Sequence, residues 1–404
     1  MPEEDAAVAA TTERTSEAGP APRTGKLAFI GGFLLLIFAM PVFQTVWELG
    51  RGESVQVLDV LDASPTAEGL AAFERAVEDK SVVALAVRER WHWLSLVALR
   101  AGNQKAVVAR DNTVFYRPSL DAALAPGFMG EPDAEGHPVR AIIAFRDCLR
   151  AQGVELVLLI APGKGTIYPE WLTRRYRPED GPPSNQDMSA FLDTMDRAGI
   201  VSVYPTEALW RARDAGPMYL RDDTHWTPEG MAIAADELAA ALGDVVEGPG
   251  GLTARPVTVS RHGDLYDMLG LPGYLPEPMP VETVTTLQVL DAQGRPLEPD
   301  AQSPVVLLGD SFTNIYSIAN MGWGDHAGLG EQLALRLGRP VDIIALNDGG
   351  VNVARANLAR RPDPLAGKRV VVWQFAARDL VVKSGEWQVI EIGARREAES
   401  DETS

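Results

Sequence analysis

Ser311 follows Gly309-Asp310 at the end of an apolar run, Pro304-Val305-Val306-Leu307-Leu308, and leads into Phe312-Thr313. A short buried strand that stops at a glycine and turns into a helix carries its next side chain to the rim of a sheet. The first N–H groups of that helix lack intrahelical partners and can face an oxyanion. A serine nucleophile requires this setting, although an ordinary corner capped by Ser or Asp has the same residues. The chemistry also needs a histidine and a carboxylate. Residues 219–231 read Tyr-Leu-Arg-Asp-Asp-Thr-His-Trp-Thr-Pro-Glu-Gly-Met. Thr227 predicts an N-cap and Pro228 a first helical position, with the helix running to about Leu242. His225 then precedes the cap in an extended stretch, where side chains two apart share a side. Asp223 and His225 should face together. A carboxylate on one imidazole nitrogen fixes the tautomer and leaves the other nitrogen free to take a proton from a serine. Asp222, three positions before the histidine, is the alternative acid.

Other constellations are weaker. Asp222, Asp223 and His225 could form a metal site, but no second histidine stands at ligand spacing, so neither metal nor cofactor is expected. His326, beside Asp325, competes as general base, yet adjacent side chains diverge on a helix or strand. His137 precedes Pro138 at a helix start, His262 lies in Arg-His-Gly-Asp-Leu, and His92 sits between Trp91 and Trp93; each is more readily structural. Asn347 and Arg378 follow apolar strands and are candidate substrate-binding residues. Asn347, Gly349, Gly350 and the Ser311 N–H are candidate oxyanion donors. Arg378 is equally readable as a salt-bridge partner.

The elements that must position these groups form a pattern. Residues 65–100 have helical spacing after Ser64-Pro65-Thr66. Ala106–Arg110 and Val114–Tyr116, separated by Asp111-Asn112-Thr113, read as strand, turn and strand. From about 137, helices alternate with wholly apolar strands. The strands are Leu156–Ile160, Ile200–Tyr204, 305–308, Val341–Leu346 and Arg369–Phe375. That alternation predicts an α/β fold: a doubly wound parallel sheet with helices on both faces. Residues 246–300 are rich in Gly and Pro and read as an irregular insertion.

Of 404 residues, 46% are hydrophobic and 23% charged, enough for a sizeable core. The net charge is −19 and no extended Lys/Arg cluster appears, which argues against a nucleic-acid partner. The single cysteine, Cys148, gives neither an internal disulfide nor zinc-site spacing. Residues 1–25 and 391–404 read as disordered tails. Leu27–Trp47 is uncharged, long enough for one membrane-spanning helix, and lacks a small-residue cleavage site after it. Arg23 and Lys26 favour a cytoplasmic N-terminus. The expected order is a tail, an anchor over 26–48, a helical membrane-proximal region over 49–104 and the α/β domain over 105–390.

Asp223-Thr224-His225-Trp226 followed by Gly309-Asp310-Ser311-Phe312-Thr313 resembles the SGNH-hydrolase-like alginate O-acetyltransferases of the AlgJ/AlgX type. In that family, too, the Asp-His pair precedes the serine. Ala161-Pro162-Gly163-Lys164, Tyr168-Pro169-Glu170, Arg110–Tyr116, His262-Gly263-Asp264-Leu265 and the segment from Trp373 to Arg378-Asp379 agree, so the resemblance spans about residues 100–385. It implies Ser311 as nucleophile, His225 as general base and Asp223 as the orienting acid. It also implies acetyl transfer to an exported polysaccharide in the periplasm, with a multi-pass membrane acyltransferase as donor and the inner membrane as attachment. The long acidic N-terminal tail and the region 65–100 depart from the family. No separate carbohydrate-binding domain fits after residue 385, so the polymer stays open. A carbohydrate acetyl-esterase and a non-catalytic polysaccharide-assembly subunit are the alternative functions.

Overall fold

Residues 23–61, 64–243, 248–347 and 349–392 are described by a computed structural model. The chain divides into two compact units, residues 1–89 and 90–404. The first contains the helices Arg23–Arg51 and Ala67–Lys80. Thr66 caps the latter by accepting from the Gly69 N–H at 3.0 Å. The helical stretch expected over 65–100 is two helices, because Ser81 is extended between Lys80 and the next helix, Val82–Leu99. The apolar run Leu27–Trp47 lies within Arg23–Arg51, but the side chains of residues 27–29, 36, 37 and 40 fall outside the described residues. Among the described residues no helix is long and apolar enough to cross a membrane. Apart from residues 23–25, which are helical, and 391–392, the two expected tails lie outside the described residues.

Among the described residues, nine strands belong to the second unit: β1 (Ala106–Val108), β2 (Val114–Tyr116), β3 (Glu155–Ala161), β4 (Val201–Val203), β5 (Thr253–Arg261), β6 (Glu282–Leu290), β7 (Val305–Gly309), β8 (Asp342–Ala345) and β9 (Val370–Ala376). Five of them make one sheet in the order β4-β3-β9-β7-β8, and every pairing in it is parallel. If the chain is numbered as a ring starting at β7, this order reads 2-1-3-4-5, the flavodoxin-like doubly wound order. The strand order reverses between β7 and β9, where such sheets hold ligands beyond the carboxyl ends of their strands.

Period-2 alternation gives each sheet face its own core. Val157, Leu159, Leu307 and Val372 pack with the helices Pro228–Leu242 and Leu329–Leu337 on one face. Leu156, Leu158, Leu308 and Trp373 pack with Pro138–Arg150, Met188–Arg197 and Gly350–Ala359 on the other. Both faces of these strands are buried, which is why they read as continuous apolar runs.

The two smaller sheets are antiparallel. β1 and β2 pair through a turn in which Asp111 and Asn112 have φ of 54° and 59°, the left-handed backbone that tight hairpin turns require. β5 and β6 pair over nine residues, Thr253–Arg261 with Glu282–Leu290. This corrects the irregular insertion expected over 246–300. The Gly/Pro-rich flanks of that stretch mask a regular Val/Thr alternation inside it.

Gly309 closes β7 against its own following helix. A Cβ there would stand 2.1 Å from Thr313 Oγ1 and 3.0 Å from Gln374 Oε1. Gly309→Ala should therefore destabilise the domain by about 1–3 kcal/mol through overpacking. Urea unfolding would check this, and an unchanged midpoint would remove the steric reason for the glycine.

Candidate active site

The short helix Ser311–Asn314 starts where β7 ends. Asp310 caps it, accepting from the Phe312 N–H at 2.8 Å. The Asp310 N–H donates to Gln374 Oε1 on β9 at 3.1 Å, and the Thr313 hydroxyl donates to the same oxygen at 2.8 Å. The Ser311 corner is thereby tied to the central strand of the sheet. Burial, and then the charge of Asp379, raise the Asp310 carboxyl above its usual range.

The Asp-x-His segment rides on a closed loop. The Leu220 N–H donates to the His225 carbonyl and the Thr227 N–H to the Met218 carbonyl, each at 3.0 Å. The Thr227 hydroxyl then caps Pro228–Leu242 by accepting from the Gly230 N–H at 3.1 Å. This extended loop turns the side chains of Asp223 and His225 the same way. Asp223 Oδ1 lies 2.6 Å from His225 Nδ1, and His225 Nε2 lies 2.8 Å from Ser311 Oγ. All three groups converge; the two-residue spacing predicts only that Asp223 and His225 face together. Asp223 Oδ1 also accepts from the His225 N–H at 3.0 Å. Its Oδ2 accepts from the Trp323 indole at 2.9 Å and from the Asp264 N–H at 3.0 Å.

Asp222 turns elsewhere. Its Oδ2 meets His262 Nδ1 at 2.8 Å, and its Oδ1 accepts from the Gly263 N–H at 3.0 Å. The rival acid is thus committed to a second histidine, and a metal site from Asp222, Asp223 and His225 has no common centre. The loop that carries Gly263 can approach only because that residue lacks a Cβ, which would stand 2.4 Å from the Asp223 Cβ. His326 Nε2 points to Glu298 at 3.3 Å rather than to Ser311. His137 caps the helix Pro138–Arg150, with Nδ1 accepting from the Val139 N–H at 3.1 Å.

Burial alone would raise the Asp223 carboxyl and lower His225. The pair's mutual charge and hydrogen bonds outweigh it, so Asp223 stays well below the usual carboxylate range and His225 rises. Three neighbours went unnoticed in the sequence as parts of this site. Trp323 and Asp264 hold the far oxygen of Asp223. Lys164 is buried beneath the loop, and its ammonium donates to the carbonyls of Val114 and Arg221 at 2.6 and 3.1 Å. Burial brings the Lys164 amine down to about 8 against the pull of nearby carboxylates. The only sequence signal was the His-Gly-Asp-Leu and Pro-Gly-Lys pieces, which carried no assigned role.

Ser311 opens into a cleft of about 230 Å³, shared with Tyr116, Asp310, Gly350, Arg378 and Lys383. Arg378 stands over the rings of Tyr116 and Phe312 at 5.3 and 5.7 Å. Gly350 reaches the cleft with a φ of 62°. Asn347 instead accepts from the Asn314 amide at 3.0 Å, so its side chain braces the serine's helix.

The fold and the site define a class: a doubly wound α/β domain with serine, histidine and aspartate linked in series at the carboxyl ends of its strands. Residues 131–377 match the family described as SGNH hydrolase-like domain, acetyltransferase AlgX. The chain belongs to this family of SGNH hydrolase-like acetyltransferase domains. It is 24% identical over 377 residues to the probable alginate O-acetylase AlgJ of Pseudomonas fluorescens, covering 90% of this chain and 89% of the relative. To the protein of the same name in Pseudomonas putida it is 29% identical over 310 residues, covering 73% and 75%. Among solved structures, the O-acetyltransferase domain of Pseudomonas putida AlgJ matches with a TM-score of 0.52 at 24% identity, covering 68% of this chain and 91% of that one. Pseudomonas aeruginosa AlgX gives 0.51 at 20% identity, covering 67% and 61%. These structural likenesses show a shared fold.

Asp223→Asn should lower kcat about 10³- to 10⁴-fold by presenting the wrong imidazole tautomer, whereas Asp222→Asn should cost less than about tenfold. Trp323→Phe, which removes one donor to a charged acceptor, should fall between them. Equal losses for Asp222→Asn and Asp223→Asn would overturn the assignment of the orienting acid.

Asp264 offers a stability test. Burial, and then the charge of Asp223, raise its carboxyl to about 6. A carboxyl raised in the folded state contributes fully below its ordinary value of about 4, and that contribution is lost as pH rises through the folded value. Asp264→Asn keeps an acceptor for the Thr224 N–H but cannot ionise. Its melting temperature should gain on the wild type between pH 4 and 7; parallel curves would contradict the raised pKa.

Proposed function

We propose that this chain moves an acetyl group through an ester on Ser311 onto a hydroxyl of an exported polysaccharide. The observation that carries the reading is the unbroken series Asp223 Oδ1–His225 Nδ1 at 2.6 Å and His225 Nε2–Ser311 Oγ at 2.8 Å. His225 takes the Ser311 proton as Oγ attacks the acetyl carbonyl, then returns it to the departing group. In the second step the same nitrogen deprotonates the sugar hydroxyl that attacks the acetyl-serine. Asp223, held ionised, fixes the tautomer and stabilises the imidazolium. The Ser311 N–H, with Gly350 facing it across the cleft, supplies the oxyanion site. Arg378 holds the substrate at the mouth, and Asn347 steadies the helix that bears the serine.

The relatives' name, alginate O-acetylase, supports a polysaccharide acceptor of the alginate type. The uncharged run Leu27–Trp47 supports a single anchor in the inner membrane, with the α/β domain on the periplasmic side. A multi-pass membrane acyltransferase is the proposed acetyl donor.

The test is acetyl release from a soluble acetyl ester, with and without oligosaccharide acceptor. Ser311→Ala should abolish release, and product acetylation should rise with acceptor at the expense of free acetate. The rate should climb with pH through a titration above the ordinary histidine range, because the base must be neutral and its pKa is raised. Acetate yield that acceptor never diverts would make the protein an esterase. No Ser311-dependent release above the uncatalysed background would make it a non-catalytic assembly subunit.

A further inference from the structure

The β5–β6 ribbon ends on a rung that reaches the site at two points. Arg261, the last residue of β5, stands opposite Glu282, the first of β6. Glu282 Oε2 accepts from the Arg221 N–H at 2.6 Å and so holds the loop that carries Asp223 and His225. Arg261 reaches the stretch that carries Trp323. Its Nη1 donates to the Met321 carbonyl and its Nε to the His262 carbonyl, each at 2.7 Å. The guanidinium stands 5.7 Å from the centre of the Trp323 ring, within range of a cation–π contact. Its remaining nitrogen, Nη2, faces Asp267 at 4.0 Å. Each held carbonyl lies two residues before a donor to Asp223 Oδ2: Met321 before Trp323, and His262 before Asp264.

Trp323 depends on that hold. Its buried indole donates to Asp223 Oδ2 at 2.9 Å from a short turn. Two bonds close the turn, from the Met321 N–H to the Ile318 carbonyl and from the Gly322 N–H to the Ala319 carbonyl, both at 3.0 Å. Both end before the tryptophan. Gly322, between them and the indole, has a φ of 80°, in the left-handed region that glycine enters freely. A Cβ there would overlap Arg261 Nη1, so the guanidinium fills the space a side chain would need.

We propose that Arg261 is a positioning residue for the acyl transfer: it clamps the turn at Gly322 and so keeps the Trp323 indole on the carboxylate that orients His225. The proposal rests on the reading of Asp223, His225 and Ser311 as the catalytic series. A carboxylate that loses one of its donors is freer to rotate, and it then holds the imidazole less firmly for proton transfer. Among the described residues, the lining of the Ser311 cleft includes none of Arg261, Gly322 and Trp323. The effect therefore belongs in kcat rather than KM.

The test measures acetyl release from a soluble aryl acetate by the purified full-length chain, alongside the indole N–H resonances of the isotope-labelled protein. Arg261→Met should lower kcat about tenfold, as for a weakened bond to a charged acceptor, and leave KM within about twofold. Arg261→Lys, which keeps a cation and one donor, should recover most of that loss. Arg261→Met combined with Trp323→Phe should be less than about threefold slower than Trp323→Phe alone, because both changes break one linkage, whereas independent effects multiply. The resonance that disappears in Trp323→Phe should move upfield in Arg261→Met and return toward its place in Arg261→Lys. If Arg261→Met does not fold, Arg261→Gln, which keeps a donor for Met321 but no cation over the ring, replaces it. Fully multiplicative rate losses would overturn the route through Trp323, as would an indole resonance that stays in place. Release that persists in Ser311→Ala would overturn the catalytic series, and the role of Arg261 with it, whatever the resonance does.

Discussion

A buried carboxylate is the constraint on which the site depends. Asp223 is almost fully withdrawn from water, and an ionised group so placed must be met by donors or lose its charge. Four N–H groups meet it: the His225 ring and backbone on one oxygen, Trp323 and the Asp264 backbone on the other. Those donors come from three separate stretches of chain. The loop before Pro228, the loop around Gly263 and the turn at Trp323 therefore cannot settle independently. What satisfies the charge also fixes the imidazole, and the imidazole fixes the serine hydroxyl. Catalytic orientation and local stability are in this sense one interaction network.

The sheet supplies the complementary half. Gln374, on the central strand β9, receives both the Asp310 N–H and the Thr313 hydroxyl. The serine corner is thus locked to the strand that also pairs with β3. Arg378 follows that same strand and overhangs the Phe312 ring. One strand therefore sets the height of Ser311 and the position of a cation beside it.

Much of this was readable before any coordinates. The apolar strands announce their burial on both faces, and Thr227-Pro228 fixes where the helix begins, which leaves Asp223 and His225 in extended chain. Two-residue spacing there does the rest. The choice between Asp222 and Asp223 was not decidable locally, because the partner that removes Asp222 from contention, His262, lies forty residues away. Trp323, one hundred residues from Asp223, gives no periodic signal in its irregular turn. Asp264 acts partly through its backbone N–H, which every residue but proline carries. The β5–β6 ladder was hidden by its flanking Gly and Pro. Strand order was equally out of reach: nothing in β9 itself says that it sits between β3 and β7.

That strand order has a consequence for how the protein is made. β3 and β4, with the aspartate–histidine loop after them, are synthesised well before β7 and its serine. The strand that must lie between the two halves is the last of the five. Until residues 370–376 leave the ribosome, the sheet is two unjoined pairs with open hydrogen-bonding edges. The β3–β9 pairing joins Glu155 to Val370, far apart in the chain, which makes assembly slow and leaves those edges exposed meanwhile. A chain that ends early therefore contains serine, histidine and aspartate alike, yet lacks the strand on which their meeting depends.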